Sequence, residues 1–123
     1  MLTDCPLVAF VATKDAAKAR SFYEQTLGLR LVSDEPWALV FDAHGTRLRI
    51  QKVDEFEPLP FTTLGWQVLD IDRAVATLAK MGVRPERYPG MDQDATGVWA
   101  SPSGARVAWF KDPDGNTLSL TQL

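Results

Sequence analysis

The chain is poor in the residues that most often carry chemistry. Its 123 residues include one cysteine and one histidine. A lone cysteine, Cys5, excludes an internal disulfide framework and fits a reducing compartment. With no histidine beside it, Cys5 reads as a small core or edge residue and not as a nucleophile. A Ser–His–Asp relay or a multi-histidine metal site would have to be built around His44 alone, and His44, next to Gly45, reads as a solvated turn residue. No apolar run approaches the roughly 18 residues of a membrane span. The N-terminal MLTDCPLVAF lacks the basic and apolar regions of a secretory signal. Net charge is −3, without a basic block or stripe, which argues against nucleic acid and against an anionic membrane surface as partners. The expected location is the cytoplasm.

What is present is an ordinary globular composition, 46% apolar and 24% charged, at a length suited to one domain. Two similar patterns follow each other. In the first, an apolar strand over 7–12 leads to Asp15, a helix cap, and to a helix with Ala16, Ala19, Phe22, Tyr23 and Leu27 at helical spacing, stopped by Gly28. Short strands are predicted over 29–33, 37–41 and 46–53, the last after the Asp42-Ala43-His44-Gly45 turn. An acidic, proline-punctuated stretch, 54–60, reads as a linker. The second pattern has a strand over 63–69, a helix capped by Asp70 or Asp72 and ending at Gly82, and strands over 83–88, 97–100, 107–111 and 117–122. Residues 89–96 read as a polar, mobile loop. Between the last two strands, Asp112-Pro113-Asp114-Gly115-Asn116 has strong turn chemistry.

The halves superpose by turn and cap. Gly45 falls on Gly115, Leu48 on Leu118, Arg49 on Ser119; Asp15 falls on Asp70 and Val8 on Thr63. The predicted architecture is α+β: two tandem βαβββ modules, about 5–53 and 61–122, forming a curved eight-stranded half-barrel around a cleft, with the helices on its outer face. A lone module of this kind could bury only one face of its sheet.

Alternation along the strands assigns side chains to faces. Leu48 and Ile50 belong to the helix side, so Arg47, Arg49 and Gln51 share the other. Leu118 and Leu120 leave Thr117, Ser119 and Thr121 opposite; Leu64, Trp66 and Val68 leave Thr63, Gly65 and Gln67. The first strand adds Val8 and Phe10 as an apolar wall. Concave surfaces of mixed polarity are the usual small-molecule sites, and an arginine there clamps carboxylate or phosphate. A solvated sheet face produces the same alternation. The four tryptophans read as core or dimer interface, and Tyr88 as a cleft or sheet-edge residue.

The segments Phe10–Asp15, Ala19–Leu29, Ala74-Val75, Met81–Val83 and Phe110–Asn116, with FYxxxLGL and DPDGN in that order, span nearly the whole chain. On these the sequence resembles the vicinal oxygen chelate superfamily, which includes glyoxalase I, extradiol dioxygenases and the fosfomycin- and bleomycin-resistance proteins. The resemblance implies a divalent metal held by inner-strand His, Gln or Glu residues. Carried over, those positions fall on Val8, Arg49, Thr63 and Ser119. Valine cannot ligate, hydroxyls are weak neutral donors, and arginine opposes a divalent ion. No metal and no other cofactor is therefore expected. A different site, from His44 with Asp42 and Asp114, is the alternative. The expected function is a metal-independent binding protein for an oxygen-rich or anionic small molecule, contacted by Val8, Phe10, Arg47, Arg49, Gln51, Thr63, Gln67, Ser119 and Thr121. A glyoxalase-like lyase or isomerase is one alternative, weakened by the absence of Asp, Glu, His or Lys from the predicted inner faces. An interaction module with a vestigial cleft is another. By the same resemblance, the partner besides the ligand is a second copy of the chain, as a homodimer.

Overall fold

A computed structural model describes all 123 residues. The chain divides into two compact units, Met1–Glu57 and Pro58–Leu123. No helix is long and apolar enough to cross a membrane.

In the first unit, β1 (Val8–Thr13) leads to α1 (Ala16–Ser21), then to β2 (Arg30–Asp34), β3 (Ala38–Ala43) and β4 (Thr46–Lys52). The sheet order is β1-β4-β3-β2, with β1 parallel to β4 and the other pairs antiparallel. A parallel pair needs a long crossover, which α1 supplies. Asp15 caps the helix, its carboxylate accepting from the Lys18 backbone N–H at 3.2 Å. The helix expected to run on to Leu27 changes character at Phe22. There the Leu27 N–H reaches back five residues to the Phe22 carbonyl, a π-helical turn over Phe22–Thr26. Tyr23 from this turn is fully buried and lies 6.0 Å from the Phe41 ring. With Val11, Ala19, Leu39, Leu48 and Ile50 it forms the core on the helix side.

The second unit repeats the plan: β5 (Thr62–Gln67), α2 (Ile71–Lys80), β6 (Trp99–Ala100), β7 (Arg106–Lys111) and β8 (Thr117–Gln122), in the order β5-β8-β7-β6. Of the two cap candidates, Asp70 is the cap, accepting from the Arg73 N–H at 3.1 Å. Gln122 accepts from the Ile71 N–H at 2.8 Å, so the last strand ties down the helix start. Ile71 and Val75 pack with Ala108, Phe110, Leu118 and Leu120 among the buried apolar residues. In the DPDGN turn, buried Asp112 accepts from the Asp114 and Asn116 backbone N–H groups at 2.9 and 3.0 Å and from the Asn116 side chain at 2.8 Å. Gly115 takes φ +89, which a side chain would resist. The α+β class and the pair of βαβββ units are as the sequence predicted.

Two local expectations are corrected. Residues 83–88 form no strand: Pro85 has no N–H to give, and the segment attaches to β7 through the Glu86 N–H donating to the Trp109 carbonyl at 2.7 Å. The polar loop is tied to its flanks by hydrogen bonds centred on Gln93 and Asp94. Gln93 accepts from the Tyr88 N–H at 2.8 Å and donates to the carbonyls of Glu86 and Gly97 at 2.9 and 2.8 Å. Asp94 gathers Thr96 and the Val98 N–H, and Arg87 donates to the carbonyls of Asp94 and Ala95. Cys5 lies exposed ahead of β1 and belongs to no core.

Candidate functional site: the helix-free faces of the two sheets

Each sheet has one face under its helix and one face turned away from it. In the first unit the register places Val8 beside Arg47, Phe10 beside Arg49 and Ala12 beside Gln51. β3 adds Asp42 next to Arg47, Val40 next to Arg49 and Ala38 next to Gln51. Val8, Phe10, Arg47, Arg49 and Gln51 therefore share one face, with Val8 42% and Phe10 52% exposed.

The arginines differ. Arg49 lies 3.5 Å from the Glu35 carboxylate, whose other oxygen accepts from the Ser33 hydroxyl at 2.9 Å. Arg30 and Asp42 lie 3.8 Å apart. Arg47 is exposed and has no ion pair or side-chain hydrogen bond. Sequence alternation left this face without a carboxylate. Asp42 was missed because β3 runs two residues further than predicted, and Glu35 because it reaches in from the β2–β3 connection.

In the second unit, Gly65 pairs with Ser119 and Gln67 with Thr121. β7 adds Val107 beside Thr121, Trp109 beside Ser119 and Lys111 beside Thr117, and β6 adds Trp99 beside Val107. Gln67, Ser119 and Thr121 thus lie together, and their side chains make no hydrogen bond within the chain. Thr63 behaves differently. The β5–β8 register shifts between Thr62 and Leu64, so Thr62 pairs with Thr117 and Thr63 is the extra residue of a bulge. Its hydroxyl donates to the Thr117 carbonyl at 3.2 Å. The residue standing in register where Val8 stands in the first unit is Thr62, not Thr63.

The aromatic residues on this face went unpredicted as a group. Trp109 donates through Nε1 to the Thr62 hydroxyl at 3.1 Å. Tyr88 stands at 88° to it with centroids 5.5 Å apart, and Trp99 lies 6.1 Å away at 36°. Burial, and then the neighbouring Glu86 carboxylate, hold the Tyr88 phenol above its ordinary range, so it remains a donor. Lys111 pairs with Glu86 at 3.5 Å. Alternation along Val107, Trp109 and Lys111 carried the signal. Trp37, by contrast, is 79% exposed and is not a core residue.

The residues present do not fit a divalent metal. Val8, Arg49, Thr63 and Ser119 offer no carboxylate or imidazole, Thr62 offers only a hydroxyl, and the Thr62 oxygen already accepts from an indole. No three His, Cys, Asp or Glu side chains come together anywhere, the His44, Asp42 and Asp114 trio included.

The chain matches the Glyoxalase/Bleomycin resistance protein/Dioxygenase superfamily over residues 7–120. It belongs to that superfamily. Among solved structures, a superfamily member from Sphaerobacter thermophilus DSM 20745 is 28% identical, with all of both chains covered and a TM-score of 0.76. A lactoylglutathione lyase from Agrobacterium tumefaciens is 16% identical, covering 97% of this chain and 93% of that one, with a TM-score of 0.74. A fosfomycin resistance protein from Listeria monocytogenes is 15% identical over 95% and 91%, with a TM-score of 0.73. These last two likenesses concern the fold alone. No curated protein sequence matches the chain. On the helix-free faces of this superfamily member stand a free arginine, hydroxyls and an aromatic group.

Proposed function

We propose that this superfamily member is a small-molecule binding protein that works without a metal and holds oxygen-rich or anionic ligands on the helix-free face of each sheet. The observation that carries this reading is Arg47, an exposed guanidinium without an ion-pair partner, beside the exposed apolar Val8 and Phe10. A guanidinium presents a planar fork of donors that suits a carboxylate or phosphate, and the apolar neighbours suit a carbon skeleton. The chemistry of Val8, Arg49, Thr62, Thr63 and Ser119 supports metal independence, since none of them is a hard anionic donor. A homodimer in the cytoplasm belongs to the same reading; analytical ultracentrifugation and cell fractionation test those two parts.

The experiment has two arms. Metal content is measured on protein purified without chelator, and thermal shift is recorded with Ni, Mn, Fe and Zn. The expected results are substoichiometric metal and no shift. Oxyanionic and glycopeptide ligands, fosfomycin and bleomycin among them, are then screened by thermal shift and by turnover. A ligand present at about 100 times its Kd should stabilise the fold by roughly 2.7 kcal/mol. Stabilisation without turnover is the expected outcome. One tightly bound metal per chain would sink the reading.

A second reading, a metal-independent lyase or isomerase, is favoured by one observation. Glu35 is a carboxylate beside Arg49, so a proton acceptor and a cation suited to an enolate stand together. Turnover of a hemithioacetal by the metal-free protein, abolished by Glu35→Gln, would select it.

A further inference from the structure

We infer that the helix-free face of the second sheet takes a planar aromatic or heteroaromatic ring stacked on the indole of Trp109, with an oxygen acceptor on the ring meeting Thr121 and Gln67. This deepens the reading above and rests on it.

The orientation of Trp109 carries the argument. Its strand, β7, and the strand of Thr62, β5, are separated by β8. Strand spacing puts them roughly 10 Å apart. An indole nitrogen on β7 can come within 3.1 Å of the Thr62 hydroxyl only if the ring system lies along the sheet, across β8. One ring face then covers Ser119, which is 8% exposed, and the other turns away from the sheet. Tyr88 stands at a right angle to the indole as a wall, and Trp99 continues the aromatic surface at a tilt of 36°. A π-face pinned in place with a perpendicular ring beside it suits a flat ring, which gains stacking without ordering a flexible side chain.

The polar groups complete the choice of ligand. In the row next to Trp109, Val107, Thr121 and Gln67 lie side by side across the sheet. The Thr121 hydroxyl and Gln67 amide have no partner within the chain. Gly65 adds no side chain to this surface, and a Cβ there would come within 2.5 Å of the Ser119 hydroxyl. The protonated Tyr88 phenol is a further donor. Donors around an aromatic platform call for an aromatic ring that carries an oxygen acceptor.

The test compares 1-naphthoate with cyclohexanecarboxylate, which share the carboxylate but not the flat ring, by tryptophan-fluorescence titration and calorimetry. Naphthoate should bind about tenfold or more tightly than the saturated acid, as expected for one stacked ring. Trp109→Leu should remove that preference by lowering the naphthoate affinity about tenfold or more. Thr62→Val keeps the platform but unpins it, and should weaken naphthoate about 2- to 10-fold, the effect of one hydrogen bond; it covers the case in which Trp109→Leu does not fold. Trp37→Leu, far from this sheet face in sequence, should change neither affinity. Equal affinities for the two acids overturn the stacking inference while sparing the binding reading. No binding of either acid overturns both. A dimer that dissociates on Trp109→Leu, seen by ultracentrifugation, means a second copy occupies the aromatic face and also overturns the inference.

Discussion

Gly97 is the point at which the loop carrying Tyr88 is most exposed to a single perturbation. It has φ +90, and a Cβ built there would lie 2.5 Å from the Cβ and 2.8 Å from the Cγ of Pro85. Gly97→Ala meets two costs. Forcing an L-residue into a left-handed conformation costs about 1–2 kcal/mol. Pressing a methyl into a rigid pyrrolidine costs about 1–3 kcal/mol, because a proline ring cannot rotate aside. The stiffer unfolded chain returns roughly 0.4–1 kcal/mol. The net expectation is a loss of about 1–5 kcal/mol. Urea unfolding followed by tryptophan fluorescence measures it, with m unchanged. The damage should also reach the site, because the Gly97 carbonyl accepts from Gln93, and Gln93 holds the Tyr88 N–H. Pro85→Gly in the Gly97→Ala background should restore the steric part. Pro85→Ala should restore little, since its Cβ keeps the 2.5 Å overlap. If the loop takes the strain by opening locally, amide exchange over residues 86–98 will rise instead. An unchanged midpoint together with unchanged exchange, or equal rescue by Pro85→Ala and Pro85→Gly, would refute the argument.

Other perturbations have equally definite outcomes. Arg47→Ala should weaken an anionic ligand found in the thermal-shift screen about 10-fold or more, the usual effect of losing a charge-assisted hydrogen bond, whereas Arg49→Ala should weaken it less because Arg49 already faces Glu35; calorimetry that reverses this order removes Arg47 from the site. Asp70→Ala should cost about 1 kcal/mol as a lost helix cap and Asp70→Asn much less, with urea midpoints showing otherwise if Gln122 caps the helix unaided. Asp72 has a carboxyl held below its ordinary value of 3.8, chiefly by its hydrogen bond from Arg106. A depressed folded-state value means that the stabilisation is full above the ordinary carboxylate range and is lost as pH falls through the lower, folded value. The difference in Tm between wild type and Arg106→Met should therefore be constant from pH 8 to about 5 and shrink below about 4; a difference that persists to about pH 2 would contradict the pairing. Gly65→Ala should push on the Ser119 hydroxyl, 2.5 Å from the new Cβ, and Ser119→Ala in the same chain should remove that contact, so the two changes should couple; additive effects would show that β5 and β8 are not in this register.

Much of the fold was legible because its signals are local. Asp15 is a helix cap in sequence and in space, Asp70 is one of the two caps the sequence offers for the second helix, and DPDGN makes the turn its residues demand. The alternation of Arg47, Arg49 and Gln51 with Leu48 and Ile50 placed the first face correctly, because a strand with one face under a helix tolerates no slip. Residues 83–88 look like a strand by composition, but a ladder needs an N–H that Pro85 lacks and a neighbour along its whole length. The π-helical turn at Phe22 is invisible in residue spacing, since it follows from where Tyr23 must sit under Phe41. Equal spacing between the two modules points to Thr63, and the bulge in β5 puts Thr62 in register instead.

The sequence alone determined the α+β class and the repeated βαβββ unit. These are properties of single residues, their spacing and their alternation. Only the tertiary structure decided which polar groups are free. Arg49 meets Glu35 across a strand connection, Arg47 meets no acid, and the Trp109 indole spans a strand to reach Thr62. The physical reason is that pairing between side chains distant in sequence depends on strand register and on the bulges that shift it, and register is set when the sheet assembles.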